Sequence, residues 1–480
     1  MSVAIHLLDS FSAARPAPRS ASSRSEHVPI PLARQRYPGE LLVRVARDPL
    51  QVFADLAREY GDIVRVRMGP KTFVVVAHPE LAREVLVTQQ HRFVRGPAHR
   101  QGLSLLLGEG LLTSSGDFHR HQRRLAQPAF HHERIAAYAR AMAAAAERWD
   151  QRWSAQEHDV VDMHEEMMAL TLGIVGETLF GADTRTQTET VARSLAAALR
   201  LGPLALVPGG SLAVQLPFPA ARRFRRGKRR LDEIVDGIIA ERRRGDGGPD
   251  DRGDLLSMLL VATDPDESDG VPMSDTQLRD EVMTLFVAGY ETTASAMTWT
   301  WYLLAQHPEV VARLRSELDS VLGTDGPTRA PGFDDVRQLA YTRAVLAESM
   351  RLYPPAYSVV RVCAERTELG GYVIEKGWSV ATSAYLAHHD ARWWPEPERF
   401  DPDRWLRPAG DRPKSAYFPF GAGSRICIGE PFTWTETVLV LATLARHWSP
   451  RLASDQPVRP RGSITLRPAG EVPMRLERVT

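Results

Sequence analysis

Between Ser274 and Pro308 the chain carries a largely apolar run that reads as one long helix, and such a helix constrains everything that surrounds it. Ser274-Asp275-Thr276-Gln277 is a capping-box signature, in which serine and glutamine satisfy each other's free amides. The run continues from about 275 to 306 and stops before Pro308. Its length would suit a membrane span, but Glu291 and the threonines within it argue against lipid. A helix apolar on all sides belongs in the interior of a large protein, and 480 residues suffice to build that interior.

Inside this helix lies Ala288-Gly289-Tyr290-Glu291-Thr292-Thr293. Glycine costs about 1 kcal/mol in a helix interior, and a buried glutamate costs more unless something uses it. Thr292 can bond back to the carbonyl of residue 288 and bend the helix. Together Gly289, Glu291 and Thr292 would open a groove beside a small molecule and supply protons there. Thr284, Ala288, Thr292 and Ala296 recur at intervals of four and share one face. The small Ala288 leaves room for a ligand, with Leu285 flanking it.

A second constraint sits near the C-terminus. Phe420-Gly421-Ala422-Gly423-Ser424-Arg425-Ile426-Cys427-Ile428-Gly429 places one of two cysteines in a glycine-punctuated loop. Gly423 and Gly429 are expected to permit positive φ and close backbone approach to a flat ligand. Amide N–H groups aimed at the sulfur would favour a thiolate, and Arg425 can reach a carboxylate on the same ligand. An isolated cysteine is usually a buried thiol in a turn. A thiolate offered without neighbouring Cys or His suits a single axial bond to haem iron.

The pattern F-x-x-G-x-R-x-C-x-G resembles the haem-binding loop of the cytochromes P450 at every defined position, and Ala288–Thr293 resembles the oxygen-activating helix of that family. The resemblance implies a mostly α fold with small β-sheets, a single α+β domain with the long helix over the haem. It makes Cys427 the iron ligand and Glu291 with Thr292 the catalytic proton-relay pair. Ala288, Gly289, Phe420, Gly421, Arg425 and Gly429 become cofactor neighbours. The carboxylates of a haem need cations. His119 and Arg123, one helical turn apart, join Arg361 and Arg425 as the expected set. His119 stands where many members have Trp, and Thr433 where Ala usually follows the loop.

Glu348 and Arg351 alone would read as a surface ion pair. Followed by Leu352-Tyr353-Pro354-Pro355, they resemble the family's E-x-x-R helix, with Arg404 rather than Arg399 as third partner. Such a buried trio is structural and holds the cysteine loop. Cys363, on Arg361's strand face, reads as packing.

Elsewhere, residues 61–78 read as a strand pair turned at Gly69-Pro70, with further strands at 358–363, 371–374, 379–383 and 463–467. Amphipathic helices are expected over 133–155, 160–181, 187–201 and 219–244. Residues 245–251 and 264–270 are loops by composition. The apolar, Pro/Gly-rich segment 202–218 reads as a roof over the pocket, and the Arg-rich run 222–230 as a solvated helix face. Residues 1–30 are expected to be a flexible extension, lacking the apolar core of a signal or anchor, and 31–480 the haem domain.

A net charge of +1 gives no pointer to nucleic acid, and two cysteines build no disulfide framework, which suits a reducing cytoplasm. The expected activity is monooxygenation: haem b and O2 insert one oxygen atom into a C–H or C=C bond. No G-x-G-x-x-G module follows the loop, so electrons from NAD(P)H would arrive through separate partners, a ferredoxin and its reductase. A monomer without a membrane span is expected. The candidate pocket lining is Phe93, Leu105, Leu106, Leu111, Thr284 and Leu285, continued by Ala288, Ala356, Tyr357 and Ile464. This apolar set suits a hydrophobic molecule, such as a terpenoid or another secondary metabolite. A fatty-acid hydroxylase, an oxygen-independent isomerase, dehydratase or peroxygenase, and a haem sensor are the other readings.

Overall fold

The capping box forms as the sequence specifies. The Gln277 amide donates to Ser274 Oγ at 3.3 Å, and the Ser274 amide donates to Gln277 Oε1 at 2.9 Å. The computed structural model describes residues 28–155, 160–182, 191, 194, 218–244, 253–262, 273–323 and 329–479. The expected extension (except 28–30), the expected roof segment (except Phe218) and the loops at 245–251 and 264–270 lie outside them. So does most of the helix expected over 187–201.

Helices dominate: α1 Glu40–Arg47, α2 Pro49–Tyr60, α3 Pro79–Arg83, α4 Pro97–Leu107, α5 Gly116–Ala126, α6 His132–Ala155 and α7 Met163–Phe180. They continue with α8 Pro219–Arg244, α9 Leu255–Val261, α10 Asp275–Leu304, α11 Pro308–Leu322, α12 Ala340–Leu352, α13 Ala384–His388 and α14 Glu430–His447. The long helix is α10, and α7, α12 and α14 pack around it in one apolar core. Trp299 of α10 stacks on Tyr353 just beyond α12, with centroids 4.0 Å apart and planes at 10°. Aromatic pairing of this kind adds about 1 kcal/mol beyond the area buried.

The strands are β1 Ile63–Met68, β2 Lys71–Val76, β3 Phe93–Val94, β4 Val160–Asp162, β5 Val359–Cys363 and β6 Thr367–Leu369. The others are β7 Tyr372–Ile374, β8 Ser379–Thr382, β9 Trp448–Leu452, β10 Pro460–Gly462, β11 Leu466–Pro468 and β12 Pro473–Arg478. The main sheet has the order β1-β2-β8-β5-β3. Gly69 turns β1 into β2 at φ 60, a left-handed conformation that favours glycine. At the sheet edge Phe93 pairs with Cys363 and Val94 with Val362, a register that carries Arg95 towards Arg361.

Two expected elements differ. Residues 160–162 are not the start of a helix; they form β4 and pair with Pro473–Arg475 of β12. Val160 and Val161 are β-branched and favour that pairing. The strand expected at 463–467 is a hairpin instead: β10 and β11 flank a bend at 463–465, closed by the Ser463 amide donating to the Thr465 carbonyl at 2.9 Å. No helix among the described residues is long and apolar enough to cross a membrane.

Candidate functional site

The cysteine loop is held by its own backbone. The Cys427 amide donates to the Phe420 carbonyl and the Gly421 amide to the Phe418 carbonyl, each at 3.0 Å. Gly421 and Gly423 both adopt φ 74. At Gly423 a Cβ would also collide with the Leu86 carbonyl oxygen, so no other residue fits. Gly429 departs from expectation: its φ is −84, and a Cβ there would meet Cys427 Sγ at an ordinary 3.8 Å. Its contribution is its amide, which with that of Glu430 faces the sulfur.

Cys427 is exposed, yet the surrounding protein still desolvates its thiol. Burial pushes the thiol up, while the two amides and Arg123 pull it down. With burial dominant, a stable thiolate needs a cation in front of the sulfur, as a bound metal provides. Cys363, by contrast, is a core residue, its Sγ 2.8 Å from the Glu365 carbonyl.

The long helix opens at one place only. From Asp280 to Leu304 every residue is buried except Ala288, Gly289 and Thr292. Thr292 Oγ1 donates to the Ala288 carbonyl at 2.8 Å, as its sequence position predicts, and Thr293 Oγ1 donates to Gly289 at 2.9 Å. Gly289 has a packing role too, because a Cβ would stand 3.1 Å from Val175 of α7. Glu291 is buried and accepts from Thr465 Oγ1 at 2.7 Å. Burial raises its pKa, opposed by Thr465 and by Arg467. Near Thr293, Glu436 of α14 is fully buried and its carboxyl is pushed well above the usual range by desolvation. Thr293 lies close enough to oppose that shift but completes no well-formed hydrogen bond to either carboxyl oxygen. Neither Thr465 nor Glu436 was anticipated; a glutamate inside the apolar periodicity of α14 was the available signal.

The expected cations do gather. His119, Arg123, Arg361 and Arg425 influence one another electrostatically, and Arg95 joins them. Arg95 was missed because only the β3–β5 register brings it to Arg361. Burial, Arg425 and Arg361 lower Arg95 to about 9, and its Nε and Nη1 are buried without a partner. Burial likewise lowers Arg361 and Arg425 to about 10. No acidic side chain among the described residues offsets these shifts. Burial and the four arginines push His119 down to about 3, so it stands here as a neutral hydrogen-bond donor rather than the expected cation. Arg425 donates to the Ser114 carbonyl at 2.9 Å, and Arg123 to the Ile426 carbonyl at 2.8 Å. Guanidinium groups with no carboxylate partner among the described residues, beside an exposed cysteine and an opened helix face, fit a flat, metal-bearing ligand with carboxylates.

The structural trio is closed by comparison. Glu348 accepts from Arg351 Nη2 and from Arg404 Nε, each at 2.8 Å. Trp405 Nε1 at 2.9 Å and the Asp401 amide at 3.1 Å also donate to it. Arg399 offers Arg351 only its carbonyl, at 3.1 Å, while its side chain pairs with Glu396 outside.

The candidate lining divides. Leu105, Leu106, Leu111 and Leu285 pack in the core around α10. Thr284 is buried against Gly110. Phe93 lies instead in the core of the main sheet, with Val380 and Cys363. Tyr357 packs on Leu50 and Leu466 and donates to the Ser463 carbonyl at 2.8 Å. Ala356 and Ile464 are exposed, and the Thr465–Glu291 bond ties the turn carrying Ile464 to α10.

The family model of cytochrome P450 matches residues 37–471, and the chain belongs to that family of haem-thiolate proteins. Among curated relatives it is similar to cyclooctatin synthase of Streptomyces melanosporofaciens, 42% identical over 88% of this chain and 90% of the relative. It is equally similar, at 42% over 84% and 85%, to cyclooctat-9-en-7-ol 5-monooxygenase of the same organism. Pentalenene oxygenase of Streptomyces avermitilis is 36% identical over 87% and 90%.

Proposed function

We propose that this chain is a monooxygenase that oxidises a terpenoid, with haem b ligated by Cys427 and electrons drawn from NAD(P)H through a ferredoxin and its reductase. It would act as a monomer in the cytoplasm. The observation that carries the reading is the single opening of α10 at Ala288, Gly289 and Thr292, beside a buried acid. Relatives named for cyclooctat-9-en-7-ol and pentalenene support the substrate class.

When bound, a thiolate-ligated haem supplies reductive activation of O2 and oxygen-atom transfer. Arg95, Arg123, Arg361 and Arg425, with His119 as a neutral donor, would hold its carboxylates. The Gly429 and Glu430 amides would steady the Cys427 sulfur. Glu291, raised by burial, holds a proton near neutrality more readily than an exposed glutamate. Thr292 can pass a proton only by releasing its bond to the Ala288 carbonyl. The acid–threonine pair favours oxygen chemistry over isomerisation or dehydration.

The test has two parts. Cys427→His should abolish the thiolate-type band of the reduced carbon monoxide complex, and Cys363→Ser should keep it. Terpenes, fatty acids and macrolides titrated into the ferric holoprotein should then separate, with a spin-state shift from a terpene. Thr292→Ala should keep that shift with similar affinity, yet lose product per electron about tenfold or more. Unchanged coupling would remove the relay role, and a shift from fatty acids alone would remove the terpenoid.

A further inference from the structure

The segment 108–115, between α4 and α5, is a strap tied down at both ends of the site. On one side it is fastened to α10: the Glu109 amide donates to Asp280 Oδ2 at 2.7 Å, and the Leu111 amide donates to Glu281 Oε2 at 2.9 Å. The approach is so close that a Cβ at Gly108 would collide with the Asp280 carboxyl, and one at Gly110 with Thr284 Oγ1. On the other side the Ser114 carbonyl accepts from Arg425, two residues before Cys427. Within the strap, Thr113 Oγ1 donates to the Gly108 carbonyl at 2.7 Å and Gln122 of α5 donates to the Glu109 carbonyl at 2.9 Å.

Glu281, Thr284, Ala288 and Thr292 are spaced by three, four and four residues and so share one face of α10. The strap therefore covers the same face that opens two turns further on. The tie extends outward as well. Arg279 bridges Asp280 at 3.7 Å and Asp236 of α8 at 3.0 Å. Burying two adjacent carboxyls on an apolar helix is costly, and simple packing would be served better by leucines. Their two amide partners lie on one short segment, which is the arrangement expected of a device that fixes that segment.

We propose that Asp280 and Glu281 are positioning residues that lock the 108–115 strap against α10, setting the wall of the substrate cavity at Leu111 and the pose of Arg425. This rests on the reading of the Cys427 cavity as the haem site but not on the identity of the substrate. Replacing Glu281 by an apolar residue leaves the Leu111 amide buried without an acceptor, and the strap lifts to reach water. Glutamine keeps the acceptor oxygen and the shape.

The test uses ferric holoenzyme and two iron-binding probes followed by the haem absorption shift: imidazole, too small to touch the wall, and 4-phenylimidazole, which reaches it. In Glu281→Leu the 4-phenylimidazole dissociation constant should rise about tenfold, with imidazole within about twofold of wild type. Glu281→Gln should match wild type with both. Wild-type affinities in Glu281→Leu, or equal weakening of both probes, would overturn the proposal. Should Glu281→Leu not fold, Gly110→Ala decides: it pushes the strap off Thr284 without touching a carboxyl and should weaken 4-phenylimidazole selectively. Because neither probe resembles a terpenoid, failure of the terpenoid assignment leaves this result standing.

Discussion

Two arginine clusters, one buried and one partly buried, are built on opposite terms. Around Glu348 every group is satisfied: two arginines, an indole N–H and a backbone amide all converge on one carboxylate. Around His119 four arginines gather with no carboxylate partner among the described residues, and Arg95 keeps two nitrogens unpartnered. A closed network holds a fold together. An open one stores repulsion and desolvation that only an incoming anion relieves.

The comparison is broken most severely at Glu348. Glu348→Ala leaves Arg351 and Arg404 buried without their shared partner, at a cost of about 3–5 kcal/mol. Little holoprotein should accumulate, and the apoprotein should unfold at much lower urea. A stable, haem-replete variant would end the structural assignment.

Arg95→Leu should behave in the contrary sense. It removes an unpaired buried charge, so the apoprotein should become more stable, by about 1 kcal/mol. The holoprotein should lose haem faster to an apomyoglobin acceptor, by about tenfold. Opposite signs for apo stability and haem retention are the mark of a binding cation; a fall in both would place Arg95 with the closed network.

Glu281 gives the smallest effect and lies between the two cases, half satisfied by the Leu111 amide. Burial raises it from 4.5 to about 8, with Asp280 adding to the shift and the Leu111 amide opposing it. Between those values the native chain holds a proton that the unfolded chain has lost. Stability therefore falls as pH rises from about 4.5 to 8 and levels off above. Glu281→Gln should remove that part of the slope, so its margin over wild type should be larger at pH 8 than at pH 5. Parallel thermal melts of both proteins from pH 5 to 9 would show it; identical slopes would mean the carboxyl stays ionised.

Much of the candidate site's local geometry was legible because its parts are contiguous in the chain. The Cys427 loop, the Glu348–Arg351 pair, the capping box at Ser274 and the Thr292 bond to residue 288 each lie within a turn or two of backbone, where spacing alone sets geometry. The family resemblance extended this to Arg361 and Arg404. What escaped was contact between segments far apart in sequence. Arg95 reaches the cation cluster through strand register, Thr465 reaches Glu291 across 174 positions, and Glu109 and Leu111 reach Asp280 and Glu281 across about as many. Phe93 and Tyr357 have the right chemistry for a pocket wall, yet packing turned them into other cores. The sequence by itself determined which local constellations exist, because a helix or tight loop presents its residues at fixed offsets. Only the tertiary structure decided which of them meet, which charges stay unpaired, and where the long helix opens. Those outcomes depend on the packing of whole elements, and no short window of sequence contains it.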